Sequence, residues 1–326
     1  MAGEGSPSIT WGSLISATVM NYLESGALRD QVFSGSPFWR WMRQGKRIRR
    51  LTGGERIKLP LMYEGSGNYK RYSGLEVLDV TGYDGVTSAF FDWKQAATAV
   101  VISGLEKRSN MGESRVRDLT KDRILQAQAT LTDGLAGDAH SDGTANGSKQ
   151  VTGLVAMIAT TITSGTYASI DTAVNTKWRN QVATSVGAAA VNLLPNLRTL
   201  YNDCLEVNGV EGKPDGIFTT QTVAEALEAL VVPAIRYGPE SKGELSIAPL
   251  FRAAEIQMDP KGASGVLYLC NSNHMFLFVH RDADLTMMDE GLARPVNQDG
   301  WTVPILFQGN MACNMRSALG KLTGIT

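Results

Sequence analysis

Residues 64–85, EGSGNYKRYSGLEVLDVTGYDG, are the part of the sequence that is most informative about the fold of this chain. Its aromatic and valine positions are typical of a two-stranded hairpin, and its glycines mark bends in the backbone. No side of the stretch is apolar enough to be internal, and an isolated hairpin of this kind is marginally stable in water. We therefore predict that it packs on a surface supplied by another subunit.

The residues on either side of this stretch have the alternation of strands. Ile57, Leu59 and Leu61 alternate with polar residues and proline, and strand character resumes over residues 87–102. This pattern predicts two strands that carry the stretch between them as one extended loop.

The amino-terminal segment, residues 1–54, has a hydrophobic pattern too thin to build a core by itself, which predicts an extended arm. Within it the apolar spacing predicts one short amphipathic helix with basic residues on its other side. The apolar positions of that helix are Phe38, Trp41, Met42, Gly45 and Ile48.

The remainder of the chain alternates helices and strands. Asn110 and Glu113 resemble a capping box for a helix of five or six turns, which ends in the glycine-rich run at residues 134–149. A second helix is predicted around residues 193–205, with Pro195 in its first turn because proline disrupts a helix interior. The segments GIFTT, VLYLCNS, MFLFVHR and TVPILFQG are predicted strands, and residues 222–232 a third helix. The order of elements indicates an α+β fold.

Composition excludes several classes of protein. The chain has 326 residues, 43 % of them apolar and 19 % charged, which excludes a disordered chain and is long enough for two structural regions. No secretory signal and no run of about 18 apolar residues occur, so we expect a soluble protein without a membrane partner. The three cysteines form no CxxC pair and are expected to be buried free thiols in a reducing compartment.

Sequence motifs for catalysis or for cofactors are absent, and we expect neither a catalytic residue nor a cofactor. The three histidines have no evident catalytic partner. Asp138, His140 and Asp142 resemble the start of a calcium loop, but Lys149 stands where that loop needs a glutamate, so no metal site is predicted.

The basic run at residues 39–50, WRWMRQGKRIRR, is the sharpest local signal, and three interpretations of it stay open. It could contact nucleic-acid phosphates, lie on an anionic membrane, or pack against protein with its charges solvated or paired. The candidate contact residues, for another subunit or for DNA, are Trp39, Arg40, Trp41, Arg43, Lys46, Arg47, Arg49 and Arg50.

Several phrases, in their order along the chain, resemble the major capsid proteins of tailed bacteriophages with the Hong Kong 97-type fold. The phrases are GGERIKLPL, FDWKQAATAVVISGLEKRSN, LTKDRILQAQATLTDGL, KWRN, KPDGIFTT and GNMACNMRSALGKLTGI. The resemblance covers most of the chain, although none of these phrases is a catalytic signature.

The resemblance implies a division of the chain into four regions. These are an amino-terminal arm at 1–54, an extended β-hairpin loop at 55–95, a peripheral domain with a long spine helix at 96–148 and 295–326, and an axial domain at 149–294. In this arrangement Tyr69, Lys70, Arg71 and Tyr72, near the hairpin tip, contact the adjacent subunit.

The function that the resemblance implies is self-assembly through pentamers and hexamers into an icosahedral shell around double-stranded phage DNA. Portal and scaffolding proteins, and in some relatives a cement protein, are the implied partners, with the virion capsid as location and the bacterial cytoplasm as the place of assembly. Lys70 is the only lysine placed for the lysine-to-asparagine cross-link of some relatives. Two alternatives from other classes are a basic nucleic-acid-binding module and a carboxylate-based enzyme without a recognisable motif.

Overall fold

The computed structural model describes residues 35–65, 67–82, 84–109, 119–231, 250–252, 254–287 and 299–326. The predicted capping box at Asn110 and Glu113 and the first 34 residues of the predicted arm lie outside the described residues.

Helices and strands alternate along the chain. The helices are α1 Pro37–Met42, α2 Gly104–Ser109, α3 Leu119–Ala139, α4 Leu154–Met157, α5 Ala189–Asn208 and α6 Gln221–Val231. The strands are β1 Ile48–Leu51, β2 Ile57–Met62, β3 Val86–Phe91, β4 Lys94–Ser103, β5 Thr166–Tyr167, β6 Ile170–Asp171, β7 Gln181–Ala183, β8 Gly216–Thr219, β9 Leu250–Phe251, β10 Ala254–Met258, β11 Val266–Cys270, β12 Met275–Met287, β13 Gly300–Cys313 and β14 Gly320–Thr323. Single helical turns occur at Gly45–Arg47, Ala145–Ser148, Thr176–Trp178, Gly209–Gly212 and Arg316–Ala318.

The described residues divide into two compact units. Among the described residues, unit 1 comprises those within 97–133 and 285–306, and unit 2 comprises those within 35–96, 134–284 and 307–326. The last strand of the chain, β14, pairs with β7 and β11 in unit 2. The carboxyl-terminal residues therefore complete a sheet in the region that the sequence analysis assigned to the axial domain.

A six-stranded mixed sheet is the centre of unit 2, in the order β7-β14-β11-β8-β10-β9. Helices α5 and α6 cover one face of it and share a hydrophobic core with the sheet. The core members on α5 are Leu193, Leu197, Leu200, Tyr201 and Cys204, as the helical spacing predicted. The GIFTT strand is also confirmed as β8, with all four of its residues buried.

The predicted position of Pro195 in the first turn of its helix is wrong, because α5 begins at Ala189 and places the proline in its interior. Pro195 has no N–H to donate to the carbonyl four residues earlier. The burial of the apolar side of α5 against the sheet outweighs this local cost.

The predicted helix over residues 38–48 is also wrong in extent, because α1 ends at Met42. The chain leaves the helix at Arg43, and Gln44 is extended with φ −99° and ψ 147°. Gly45 then takes the left-handed φ of +63° at the start of a single turn. Ile48 then begins β1, which pairs in parallel with β12 from Ile48 beside Leu277 to Leu51 beside His280. Residues 35–51, assigned to the arm from the sequence, thus add a helix and an edge strand to unit 2.

A second sheet has four strands in the order β1-β12-β13-β4. The predicted hairpin strands form a separate antiparallel pair, with Ile57 opposite Phe91 and Met62 opposite Val86. The predicted long helix is confirmed as α3, with Ala127, Leu131 and Leu135 buried.

Candidate assembly surfaces

The root of the hairpin is fixed to unit 2 by polar contacts on both strands. Trp93 donates its indole N–H to the Gly54 carbonyl at 2.9 Å, and Arg56 forms an ion pair with Asp92 at 2.9 Å. Asn310 donates to the Asp92 carbonyl at 2.8 Å. These contacts hold the base of the hairpin, which follows the Gly53-Gly54 pair, against the rest of unit 2.

Apolar packing completes this attachment. Ile57, Leu59, Ala89 and Phe91 are buried, and the Phe91 ring meets the Tyr167 ring edge to face at 5.6 Å. The Phe90 N–H donates to the Ala168 carbonyl at 3.1 Å, which joins β3 to the β5-β6 turn. The lower third of the hairpin is therefore part of the folded body.

Beyond Leu61 the hairpin is exposed to solvent, and every described residue from 69 to 82 is exposed. In the described ranges 17 large apolar side chains are exposed, and 10 of them lie between Met62 and Phe90. Leu75 is 103 % exposed and Val80 is 91 % exposed. The members of this apolar loop surface are Met62, Tyr63, Tyr69, Tyr72, Leu75, Val77, Leu78, Val80, Val86 and Phe90. Such a concentration of exposed apolar area is typical of a protein interaction site.

The shape of the loop is held by side-chain contacts across it. Lys70 forms an ion pair with Glu76 at 3.3 Å and donates to the Val77 carbonyl at 3.3 Å. Asn68 donates to the Thr81 carbonyl at 2.6 Å. All of these groups are exposed, so the pair adds little stability by itself but limits the conformations of the tip.

The four residues predicted at the hairpin tip lie together on this loop. Tyr69 and Tyr72 are 81 % and 62 % exposed, and Arg71 is also exposed. The Lys70 ammonium is occupied by the contacts just described.

The basic run is in large part used within the chain. Arg43 and Arg50 both pair with Asp284, at 2.9 Å and 3.0 Å. The Arg47 guanidinium lies 4.2 Å above the Trp41 ring, and that of Arg49 lies 3.7 Å above a phenylalanine ring of β12. Four of the six basic side chains therefore have an intrachain carboxylate or aromatic partner.

The aromatic residues of the run differ from one another in their surroundings. Trp39 is only 3 % exposed and packs on the Phe307 ring at 6.2 Å. Trp41 packs on the Phe218 ring of β8 at 5.4 Å. Of the predicted contact residues, Arg40 and Lys46 are exposed and have no carboxylate or aromatic partner among the described residues. The geometry favours packing over a dedicated phosphate-binding surface, which needs several free cations.

A buried polar centre explains two of the sequence phrases, KWRN and the carboxyl-terminal one, that gave no chemical signal by themselves. Arg316, which is 2 % exposed, donates to the Met157 carbonyl at 2.9 Å, to the Trp178 carbonyl at 3.2 Å and to Asn180 Oδ1 at 3.2 Å. Its guanidinium also lies 4.7 Å from the Tyr167 ring centre. Burial lowers the pKa of Arg316. This centre joins three loops of unit 2, and spacing alone could not reveal it.

Cysteine, histidine and aspartate side chains, which are common in catalytic sites, are engaged in structural contacts here. Burial raises the pKa of Cys204 and Cys313 to about 12, so both are uncharged and unreactive at neutral pH. The ring nitrogens of His274 meet Asn314 Oδ1 at 2.9 Å and the Glu211 carbonyl at 3.1 Å. Asp142 binds Thr144 in a local turn.

Metal-binding groups were sought in the same part of the chain. The described residues contain no cluster of three or more His, Cys, Asp or Glu side chains able to hold a metal ion. Within those residues, no helix combines the length and the apolar character needed to cross a membrane.

The fold is similar to those of solved capsid structures. The cyanophage A-1(L) capsid asymmetric unit aligns with a TM-score of 0.69 at 12 % identity, over 92 % of this chain and 95 % of that chain. The capsid of Myoviridae phage XM1 aligns with a TM-score of 0.58 at 15 % identity, over 94 % and 98 %. The holo-SrpI encapsulin complex of Synechococcus elongatus PCC 7942 aligns with a TM-score of 0.55 at 9 % identity, over 94 % and 95 %.

Comparison of the sequence itself gives no match, either to a known family profile or to a curated protein. The likeness to solved structures nevertheless extends over nearly the whole chain. The Hong Kong 97-type α+β fold predicted from the sequence is thereby confirmed.

Proposed function

We propose that this chain, which has the fold of phage capsid proteins, is a major capsid protein that assembles through pentamers and hexamers into an icosahedral shell. The observation that carries the proposal is the apolar loop surface, held on a rigid root and exposed in the single subunit. Exposed apolar area of this extent is stabilised when a partner covers it. A neighbouring copy of the chain is the partner that a capsid fold supplies.

Repetition of one such contact generates a ring. The loop surface of one subunit meets a different surface of the next, so the contact is heterologous and closes when its rotation fits a ring. Tyr69, Lys70, Arg71 and Tyr72 are the proposed contact residues at the tip. Their two tyrosines supply amphipathic area of the kind enriched in protein interfaces.

The enclosed content in this proposal is double-stranded DNA, contacted without sequence preference. The basic run contributes few cations to that contact, since most of its arginines are paired within the chain. Arg40 and Lys46 are exposed, as are Arg49 and Arg50, which already have partners within the chain. Portal, scaffolding and cement proteins are further proposed partners, and the proposed location is the virion capsid assembled in the bacterial cytoplasm.

The proposed role is structural and not enzymatic. The buried thiols, the engaged His274 and the buried Arg316 all serve packing in the described part of the chain. The rival interpretations, a nucleic-acid-binding module and a carboxylate enzyme, predict a discrete saturable ligand for the isolated subunit.

Assembly is tested on the purified subunit, alone and with a co-expressed scaffold, by negative-stain microscopy and sedimentation. We expect closed shells or rings of five and six subunits. The triple variant Leu75→Asp, Val77→Asp, Val80→Asp places charges on the loop surface and should leave a folded subunit that does not assemble. Val174→Asp is the matched control, because Val174 is 77 % exposed but lies outside the hairpin.

Two results would contradict the proposal. One is a wild-type subunit that stays monomeric or dimeric under every condition. The other is a triple variant that forms shells as well as the control does. Shells that form without nucleic acid would support self-assembly but would remove DNA as a required partner.

A further inference from the structure

A buried carboxylate joins the start of the described chain to a strand end more than two hundred residues away. Asp259, which is 1 % exposed, follows β10 and accepts hydrogen bonds through Oδ2 from the Ser36 hydroxyl and from the Phe38 N–H at 3.1 Å. Its Oδ1 accepts the Lys261 N–H at 2.9 Å. His140 Nε2 lies 3.1 Å from Oδ2, without the alignment of a hydrogen bond. We call Ser36, His140 and Asp259 the Asp259 cluster.

The element held by this cluster is too short to be stable alone. Helix α1 has six residues, and isolated helices of fewer than about 12 residues are marginal in water. Ser36 is its N-cap and accepts the Trp39 N–H at 3.2 Å. Asp259 therefore satisfies the cap hydroxyl and one of the free N–H groups of the first turn at the same time.

Apolar packing also holds α1, since Phe38, Trp39 and Met42 are buried. Apolar packing is non-directional, however, and does not by itself fix the start of the helix. The carboxylate does, because an acceptor-only group meets three donors that converge on it. The cluster therefore fixes the position at which α1 begins.

The segment that follows α1 ends in a weakly held strand. Strand β1 is four residues long, lies at the edge of its sheet and is paired on one side only, with β12. Gly53 and Gly54, with φ +145° and +120°, follow one residue after its end, and no atom lies within 4 Å of a Cβ built on Gly53. Residues 36–51 thus form one element bounded by the cluster and by a glycine pair.

We propose that Asp259 is the positioning residue of residues 36–51, and that loss of its negative charge releases this segment from the body while the six-stranded sheet stays folded. The proposal does not rest on the proposed function, because it concerns the unassembled subunit. For any assembly, the consequence is that this one carboxylate determines whether residues 36–51 have a fixed position on the body.

The protonation of Asp259 gives the proposal a pH dependence. Burial raises the pKa of Asp259. Contacts with His140, Ser36 and the Lys261 N–H lower this pKa by more than burial raises it, so that it lies below the ordinary value of 3.8. A carboxyl group with a depressed folded pKa contributes stability above its unfolded pKa and loses it as the pH falls through the folded value. His140 is the titratable side chain that faces Asp259 from the end of α3, and α1 contributes no acidic residue in its first turn.

Hydrogen exchange of the unassembled subunit, read by mass spectrometry, tests the proposal with Asp259→Asn. Asparagine keeps the shape but removes the charge, and its NH2 group replaces one of the two acceptor oxygens, so that it faces at least one of the donors. We expect exchange over residues 38–43 and 48–51 to accelerate about 10- to 100-fold, as for lost charge-assisted hydrogen bonds to a buried group. Strands β8 and β11 should keep their protection.

Two further variants complete the design. Asp142→Asn is the matched control, because its exposed carboxylate binds only within a local turn with Thr144, and it should leave exchange unchanged. Ser36→Ala removes one donor to Asp259 and the cap bond from the Trp39 N–H but leaves the carboxylate, and it should accelerate exchange in the same region by a smaller factor. Wild-type protection of residues 38–43 should fall below about pH 3.8 relative to β8, whereas that of Asp259→Asn should not change with pH.

Either of two outcomes would overturn the proposal. The first is unchanged exchange over residues 38–43 in both Asp259→Asn and Ser36→Ala. The second is an equal loss of protection across β8, β11 and α1, which would make Asp259 a part of the global fold without a positioning role. Neither outcome depends on whether the subunit assembles, so the test is separate from that of the proposed function.

Discussion

Replacement of Asn180 by alanine should remove about 4.5–6 kcal/mol from the free energy of unfolding. The Asn180 side chain, 1 % exposed, donates to the Ala159 and Gln181 carbonyls at 2.9 Å and 3.2 Å, and accepts from the Ala159 N–H at 3.1 Å. It also accepts a charge-assisted bond from Arg316 at 3.2 Å. Each neutral bond contributes about 1 kcal/mol and the charged one about 1.5–3 kcal/mol, which gives the stated range.

Urea denaturation of the unassembled subunit, followed by tryptophan fluorescence, measures this loss. Trp178 lies beside Asn180 and is buried, so its emission reports on the same region. Asn175→Ala is the control, since its side chain makes a single partly exposed bond at 3.2 Å, and it should cost about 1 kcal/mol or less. A loss of under about 1 kcal/mol for Asn180→Ala, equal to the control, would refute the structural role of the buried polar centre.

Three further predictions follow from local geometry. Gly153→Ala should lower the melting temperature, because its Cβ would lie 2.4 Å from the Ala139 carbonyl oxygen. The control Gly134→Ala, whose Cβ would have no atom within 4 Å, should raise the stability by up to about 1 kcal/mol because alanine favours a helix over glycine. Equal melting temperatures for the two variants would contradict the packing at Gly153. Trypsin should cut the free subunit first after Lys70 and Arg71, which are exposed, and assembly should protect both sites; cleavage at the same rate in shells would place the tip outside any interface. The three buried thiols should resist a disulfide reagent at pH 8 in the native subunit and react after unfolding in urea, and rapid native labelling would contradict their burial.

Local sequence patterns predicted the parts of the fold in which side chains have a single face to bury. The stripe on α5 and the β8 strand fall in this class, because an apolar surface has one stable placement, which is inside. The hairpin was predicted for the converse reason, since its residues offer no internal face. Exposure of Leu75 and Val80 in the structure agrees with that argument.

The basic run shows where pattern reading failed. Helical spacing over residues 38–48 suggested one continuous helix, but Gly45 takes φ +63° and the chain then enters a strand. Whether a glycine breaks a helix depends on what the following residues can pair with. The partner here is β12, more than two hundred residues away, and no local pattern contains it.

The contacts proposed for the candidate site residues stay predictions. Tyr69 and Tyr72, placed at the hairpin tip by the family resemblance, are exposed in the structure. The Asp259 cluster was missed, because a serine, a histidine and an aspartate scattered over the chain form no motif. The structural role of Arg316 was missed as well, and the sequence analysis included this residue only as part of the carboxyl-terminal phrase.

The sequence by itself determined the α+β composition, the helices and strands with one apolar face, and the presence of a loop that has no internal face. These follow from periodicity and side-chain polarity, which act over a few neighbouring residues. Only the tertiary structure decided that residues 35–51 belong to the body, that Arg43 and Arg50 of the basic run pair with Asp284, and that Asp259 receives the start of α1. Such contacts join residues far apart in sequence, and they form because burial requires each polar group to find a partner wherever the fold supplies one.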